Sequence, residues 1–104
     1  MSDTDIFKVL ADPTRRAVLE RLATAELTAT DLRAGFAISQ PAMSQHLAVL
    51  REAGLIEERR EGRFAHYRLA PEGLAPLHTW LARYEAFWPG RIDSLKDLLR
   101  EMDQ

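Results

Sequence analysis

A chain of 104 residues, 46% hydrophobic and 29% charged with a formal net charge of −2, is sized for one soluble domain with a modest core. The slight negative charge excludes a uniformly basic nucleic-acid binder, so any DNA contact must come from a local patch of arginines. The absence of cysteine excludes disulfides, thiolate metal sites and thiol redox chemistry, and with no apolar signal segment or membrane-length apolar run a cytoplasmic protein without membrane contact is expected.

Ile6, Phe7, Val9 and Leu10 form a short apolar stripe, which predicts a first helix ending before Pro13. A helix this short needs a packing partner, either the core of its own subunit or a second copy. Asp12 and Pro13 then supply an N-cap and a proline at the first helical position, and Val18, Leu19 and Leu22 give the second helix its buried face. Arg15 and Arg16 occupy the first turn of that helix, where the dipole prefers acids. A nearby phosphate would resolve the conflict; plain exposure to solvent is the alternative. Residues 28–31, T-A-T-D, resemble a capping box with Asp in place of Glu, and Leu27 and Leu32 are spaced as a hydrophobic staple. The third helix is therefore expected from near Ala29 to near Gly35, with Phe36 and Ile38 plugging the core in the turn that follows.

The most informative stretch is S-Q-P-A-M-S-Q-H-L-A-V-L-R-E-A-G, residues 39–54. Ser39 is a good N-cap, Pro41 lies in the first turn, and Gly54 is placed to end the helix in the left-handed conformation. Met43, Leu47 and Leu50 share one face. Gln40, Ser44, Gln45, Ala48 and Arg51 fall largely on the other, with His46 at the border, and no acid interrupts that face before Glu52. Short donors and acceptors beside an arginine suit a helix that reads the DNA major groove; an ordinary solvated face would mix Glu and Lys.

After Gly54 the period becomes alternating. Residues 55–60 and 63–69 read as two strands joined by Glu61 and Gly62, a two-residue hairpin turn. Ala65, Tyr67 and Leu69 point one way and Phe64, His66 and Arg68 the other. Arg59, Arg60, Arg63 and Arg68 concentrate positive charge here, diluted by Glu57, Glu58 and Glu61. Arg63, next to the turn, is the foremost candidate for a phosphate contact; cross-strand Arg–Glu pairing on a solvated hairpin is the alternative.

From Glu72 the helical period returns. Leu74, Leu77, Leu81, Tyr84, Trp88, Ile92, Leu95, Leu98 and Met102 keep a three-and-four spacing, and Trp80 and Phe87 widen the apolar arc. Pro89 and Gly90 interrupt it, so two nearly collinear helices are expected, at about 72–88 and 90–102. One subunit has too few other helices to cover this arc, which points to a partner subunit.

The run S-Q-P-A-M-S-Q-H-L followed by L-R-E-A-G-L-I, preceded by A-D-P-T-R-R-A-V-L-E-R-L at 11–22, resembles the arsenic-repressor (ArsR) family. The likeness covers residues 6 to 69. It implies a mainly α winged helix-turn-helix domain with a small β-hairpin wing and helices at both termini forming a dimer interface. The implied parts are the helix-turn-helix at 28–54, the wing at 55–69 and dimerisation helices at 72–102. It also implies an interface formed by Ile6, Phe7, Leu10, Trp80, Tyr84, Trp88, Leu95 and Leu99.

The family is known for metal sensing, so its ligand positions matter. E-L-T-A-T-D-L at 26–32 aligns with the family's E-L-C-V-C-D-L metal box, with Thr28 and Thr30 in place of both cysteines. Neutral hydroxyls do not hold a soft thiophilic ion. For the family's other metal site, on the last helix, the chain offers only His78 and Glu85, so no metal and no cofactor are expected. His46, His66 and His78 lie in different elements without a triad arrangement, and no glycine-rich phosphate loop is present, so an enzyme is not expected.

Two functions of different class follow. The first is a homodimeric transcriptional regulator, a repressor, that places the helix from Gln40 to Ala53 in the major groove of double-stranded promoter DNA at an inverted repeat. Ser39, Gln40, Ser44, Gln45 and His46 would contact bases or adjoining backbone, and Arg15, Arg16, Arg51, Arg60 and Arg63 phosphates. The second is a winged-helix module that binds a protein and no DNA. The residues leave open whether a small organic molecule, another protein or nothing acts as inducer. Trp80, Tyr84, Phe87 and Trp88 could border a pocket as well as an interface.

Overall fold

The computed structural model describes residues 3–87, 99 and 100. Helices α1 (Asp3–Leu10), α2 (Pro13–Leu22), α3 (Ala29–Ala34) and α4 (Gln40–Glu52) precede a hairpin of strands β2 (Ile56–Glu61) and β3 (Phe64–Leu69). A 3₁₀ turn (Pro71–Leu74), helix α5 (Ala75–Ala82) and a second 3₁₀ turn (Glu85–Phe87) follow. The domain is thus mainly helical with a small antiparallel wing, as the sequence implies.

The helix ends are set by the expected caps. Asp12 accepts hydrogen bonds from the backbone N–H groups of Thr14 at 2.8 Å and Arg15 at 3.1 Å. Thr28 accepts from Asp31 N–H at 3.1 Å, and Ser39 from Ala42 N–H at 3.2 Å. Gly54, at φ +78°, ends α4: its N–H reaches the Arg51 carbonyl and Leu55 N–H reaches the Leu50 carbonyl, each at 3.0 Å. This pair of reverse bonds satisfies two carbonyls that the helix would otherwise leave open.

The core joins the faces read from periodicity. Val18, Leu19 and Leu22 of α2 meet Leu32 of α3 and Met43, Leu47 and Leu50 of α4, closed below by Leu55, Ile56 and Tyr67. Among the described residues no polar or charged side chain is buried, so the core rests on apolar burial, each large side chain contributing about 1.5–3 kcal/mol. No helix among them is long and apolar enough to cross a membrane.

Three expectations need correction. First, the sheet has three strands in the order β1–β3–β2, because Leu27 and Thr28 form β1 and pair with Tyr67 and His66 of β3. Second, the hairpin turn is Gly62 and Arg63, one residue later than expected, since Glu61 pairs with Phe64. Gly62 has φ +62° and Arg63 does not share the positive φ, the pattern of a type II′ turn with glycine first. Third, α5 ends at Ala82, well short of residue 88. After Ala82 the backbone closes in tighter three-residue bonds, Arg83 N–H to the Trp80 carbonyl at 3.3 Å and Tyr84 N–H to that of Leu81 at 2.9 Å, and a 3₁₀ turn follows over Glu85–Phe87.

Ile6 is 4% exposed and sits in the core of its own subunit, which leaves it little surface to offer a partner. Phe7 and Leu10 are half-buried. The Phe7 ring meets Trp80 edge-on at 5.2 Å, tying α1 to α5, and Trp80 lies 5.0 Å from Tyr84. Trp88, Leu95 and the expected helix at 90–102 lie outside the described residues apart from Leu99 and Arg100.

Candidate nucleic-acid interface

The outer face of α4 carries Gln40, Ser44, Gln45 and Arg51, all exposed, while its inner face buries Met43, Leu47 and Leu50. Ser39 caps the helix through its oxygen, leaving the hydroxyl proton free to donate outward. His46 is half-buried at the border, close enough to Asp12 to influence its ionisation. Backbone hydrogen bonds from Arg15 above all, and from Thr14, hold the Asp12 carboxyl below the usual range against the opposing effect of desolvation.

Arg15 and Arg16 have partners that neither sequence alternative foresaw. Arg15 Nε donates to the Val9 carbonyl at 2.7 Å and Arg16 Nη1 to the Leu10 carbonyl at 2.7 Å. Both are open carbonyls of the last turn of α1, where cations are favoured. The unfavourable placement at the start of α2 is therefore offset by a favourable one at the end of α1.

The wing is joined to α4 through one carboxylate. Glu58 accepts hydrogen bonds from Arg51 of α4, from Tyr67 OH at 3.1 Å and from Arg60 Nε at 3.1 Å. Burial would raise its pKa, but those hydrogen bonds outweigh it and hold the carboxyl below the usual range. The same site raises the Tyr67 hydroxyl, through burial first and the Glu58 charge second. Arg59 donates to Glu26 at 2.5 Å and Glu61 at 2.6 Å, and Arg68 pairs with Glu57 at 2.6 Å. The hydrogen bond from Arg59 keeps Glu26 ionised below its ordinary range. Ion pairs thus engage Arg59, Arg60 and Arg68, but only Arg68 with Glu57 pairs across the hairpin; the others lie along β2 or reach back to Glu26. Arg63, exposed at the turn, makes no ion pair or hydrogen bond among the described residues.

A cleft of about 320 Å³ between α3 and α4 is lined by Ala29, Thr30, Arg33, Ala34, Gln40, Met43, Ser44 and Leu47. Arg33 and Thr30 were not among the sequence candidates. The signal was there in part, since the two are three residues apart on one short helix and share a face. Thr28, in contrast, is spent as the cap of α3. His78 lies in α5 and Glu85 beyond its end, so they do not share one helix. No group of three or more His, Cys, Asp or Glu side chains converges among the described residues.

Residues 10–59 match the family described as a helix-turn-helix domain. The arsenical resistance operon repressor of Escherichia coli is 35% identical over 99 residues, covering 93% of this chain and 81% of that protein. The crystal structure of the ArsR family transcriptional regulator RHA00566 superposes with a TM-score of 0.73 at 34% identity, over 82% of this chain and 88% of that one. The chain belongs to the ArsR family. It is accordingly a DNA-binding transcriptional regulator, in a family of regulators and not of enzymes. The solution structure of the homodimeric winged helix-turn-helix DNA-binding domain of Mb0332 from Mycobacterium bovis, described as a possible ArsR-family regulator, gives a TM-score of 0.64 at 29% identity over 79% of each chain.

Proposed function

We propose that this ArsR-family chain is a homodimeric repressor that inserts α4 into the major groove at each half of an inverted-repeat operator. The observation that carries the reading is the outer face of α4, where exposed Gln40, Ser44 and Gln45 stand together without an acid. These side chains offer donors and acceptors of the length that reaches base edges. Arg63 at the wing tip supplies a phosphate contact, and Arg51 and Arg60 can do so only by sharing or leaving Glu58. The dimer is supported by the exposed aromatic surface of Trp80, Tyr84 and Phe87 and by the homodimeric relative Mb0332. Leu99, 52% exposed, is a further candidate on the same grounds, with Trp88 and Leu95 proposed from sequence alone.

The E. coli relative is named as an operon repressor, which supports repression as the mode of action here. Sensing of arsenite or another thiophilic ion is not proposed, because Thr28 and Thr30 stand where the family's metal box has cysteines. The inducer class is therefore an organic molecule or a protein, if release from DNA is controlled at all.

The test is a gel-shift titration at stated salt with the promoter fragment of its own gene and with random duplex. Replacing Ser44 and Gln45 together by Ala removes two polar side chains without burying or exposing apolar surface, so fold and dimer should persist. Discrimination between operator and random DNA should fall by roughly 1–3 kcal/mol for each base-edge interaction removed. Unchanged discrimination would show that α4 does not read the sequence, and no binding by the wild type would favour the protein-interaction alternative.

A further inference from the structure

Around α4, Arg15, Arg16, Arg51, Arg59, Arg60 and Arg68 are all engaged with carbonyls or carboxylates. Arg33, exposed in the last turn of α3, has no such partner among the described residues, a property it shares with Arg63. It lines the α3–α4 cleft, whose floor is formed by the buried side chains of Met43 and Leu47. The polar groups at its rim are Arg33, Thr30, Gln40 and Ser44, each able to donate hydrogen bonds. No acid lines the cleft. A donor-rich, acid-free rim repels cations and suits an anion. A guanidinium with no existing ion pair can engage one without first giving up another partner.

We propose that Arg33, assisted by the Thr30 hydroxyl, holds a backbone phosphate diester of the bound DNA on the α3 side of α4. Arg63 holds another on the wing side. The proposal rests on the reading of α4 as the recognition helix, since the cleft includes its Gln40 and Ser44. Two phosphate clamps flanking one reading helix fix its depth and register in the groove, and they carry no sequence information of their own.

The full-length protein would be titrated with operator and random duplex across a salt series, using Arg33→Ala, Arg33→Lys, Thr30→Val and Arg33→Ala/Arg63→Ala. Arg33→Ala should weaken both DNAs by a similar factor, about ten-fold near 0.1 M salt, and lower the slope of log K against log salt by about 0.9. Lysine should restore most of the slope, Thr30→Val should weaken both DNAs slightly without changing it, and the double variant should lower it by about 1.8. The clamp is overturned if Arg33→Ala leaves affinity and slope unchanged while Ser44→Ala/Gln45→Ala still abolishes discrimination; α4 would then remain the reader. Weakening of operator binding alone would overturn it in favour of a base contact. A lowered melting temperature with binding that lysine does not restore would overturn it in favour of a structural role. If neither Arg33→Ala nor Ser44→Ala/Gln45→Ala affects DNA binding, the recognition helix itself is misassigned.

Discussion

Gly73 approaches the carbonyl of Gly54 so closely that a Cβ on Gly73 would lie 1.9 Å from that oxygen and 3.0 Å from the α-carbon of Leu55. The turn after the wing is thereby pressed onto the junction between α4 and β2. Leu55 also accepts, through its carbonyl, the N–H of Ala70 at 2.9 Å. The end of the recognition helix and the exit of the wing are thus held as one unit. This joint sets the angle between the two surfaces proposed to touch DNA.

Gly73→Ala should therefore cost more than Gly54→Ala, although Gly54 is the glycine with positive φ. A Cβ at Gly54 meets no atom within 4 Å, so the substitution carries only backbone strain, about 1–2 kcal/mol. At Gly73 the obstacle is backbone, which cannot rotate aside, and the cost should reach about 3 kcal/mol or more. Urea unfolding of both variants measures this. Equal midpoints for Gly73→Ala and wild type would show that the joint is loose.

Much of this organisation was legible because it depends on local chemistry. The caps Asp12, Thr28, Ser39 and Gly54 bound their helices where sequence placed them, since each acts on backbone groups within a few residues. The partners of Arg15 and Arg16 were not legible, because they depend on how α1 turns back beside α2. Strand β1 escaped notice for a similar reason. Two residues carry no period, and Leu27 and Thr28 become a strand only because β3 lies beside them. Glu58 reads as one of several wing acids until Tyr67, Arg60 and Arg51 are seen to converge on it. The cleft with Arg33 requires the α3–α4 crossing, which no single stretch encodes.

Arg63 and Arg60 should behave differently on DNA, though both are wing arginines. Arg63 has no partner among the described residues and gains a phosphate without giving one up. Arg63→Ala should weaken operator and random DNA alike and reduce the salt slope by about 0.9. Arg60 already shares Glu58 with Arg51, so its replacement should have the smaller effect. Indifference of affinity to Arg63→Ala would mean that the wing tip does not touch DNA.

Acid should weaken the wing and the cap of α2 together, since Asp12, Glu26 and Glu58 all have lowered pKa values in the fold. The folded-state pKa values of Glu26 and Glu58 both lie below those of ordinary glutamates. Such groups stabilise the fold above the unfolded pKa of about 4.3, and their contribution is lost as pH falls through the lowered folded value. The melting temperature should be flat from neutral pH down to about pH 5 and decline below it. Glu58→Gln should flatten that decline. It should also tighten DNA binding at neutral pH, because Arg51 and Arg60 then lose their shared counter-charge. An acid limb unchanged by Glu58→Gln would rule out this carboxylate as its source.

The exposed aromatic surface permits a test of the dimer that spares the subunit fold. Trp80 packs on Phe7 within the subunit, so replacing it would confuse folding with association. Phe87 is 76% exposed and Leu99 52% exposed, so neither is needed for the described core. Large apolar side chains left this open are expected to close against a second copy. In that case Phe87→Glu with Leu99→Glu would bring unpaired charges into the interface, and association should fail. Sedimentation at micromolar concentration should give a dimer for the wild type and a monomer for the double variant. Melting of the wild type should rise with protein concentration, whereas melting of the variant should not. Operator affinity should fall steeply, because each monomer would engage one half-site without its linked partner. Binding to random DNA should weaken far less, since the phosphate contacts of each subunit survive. A wild type that sediments as a monomer yet binds its palindrome tightly would overturn both the interface and the paired reading of half-sites.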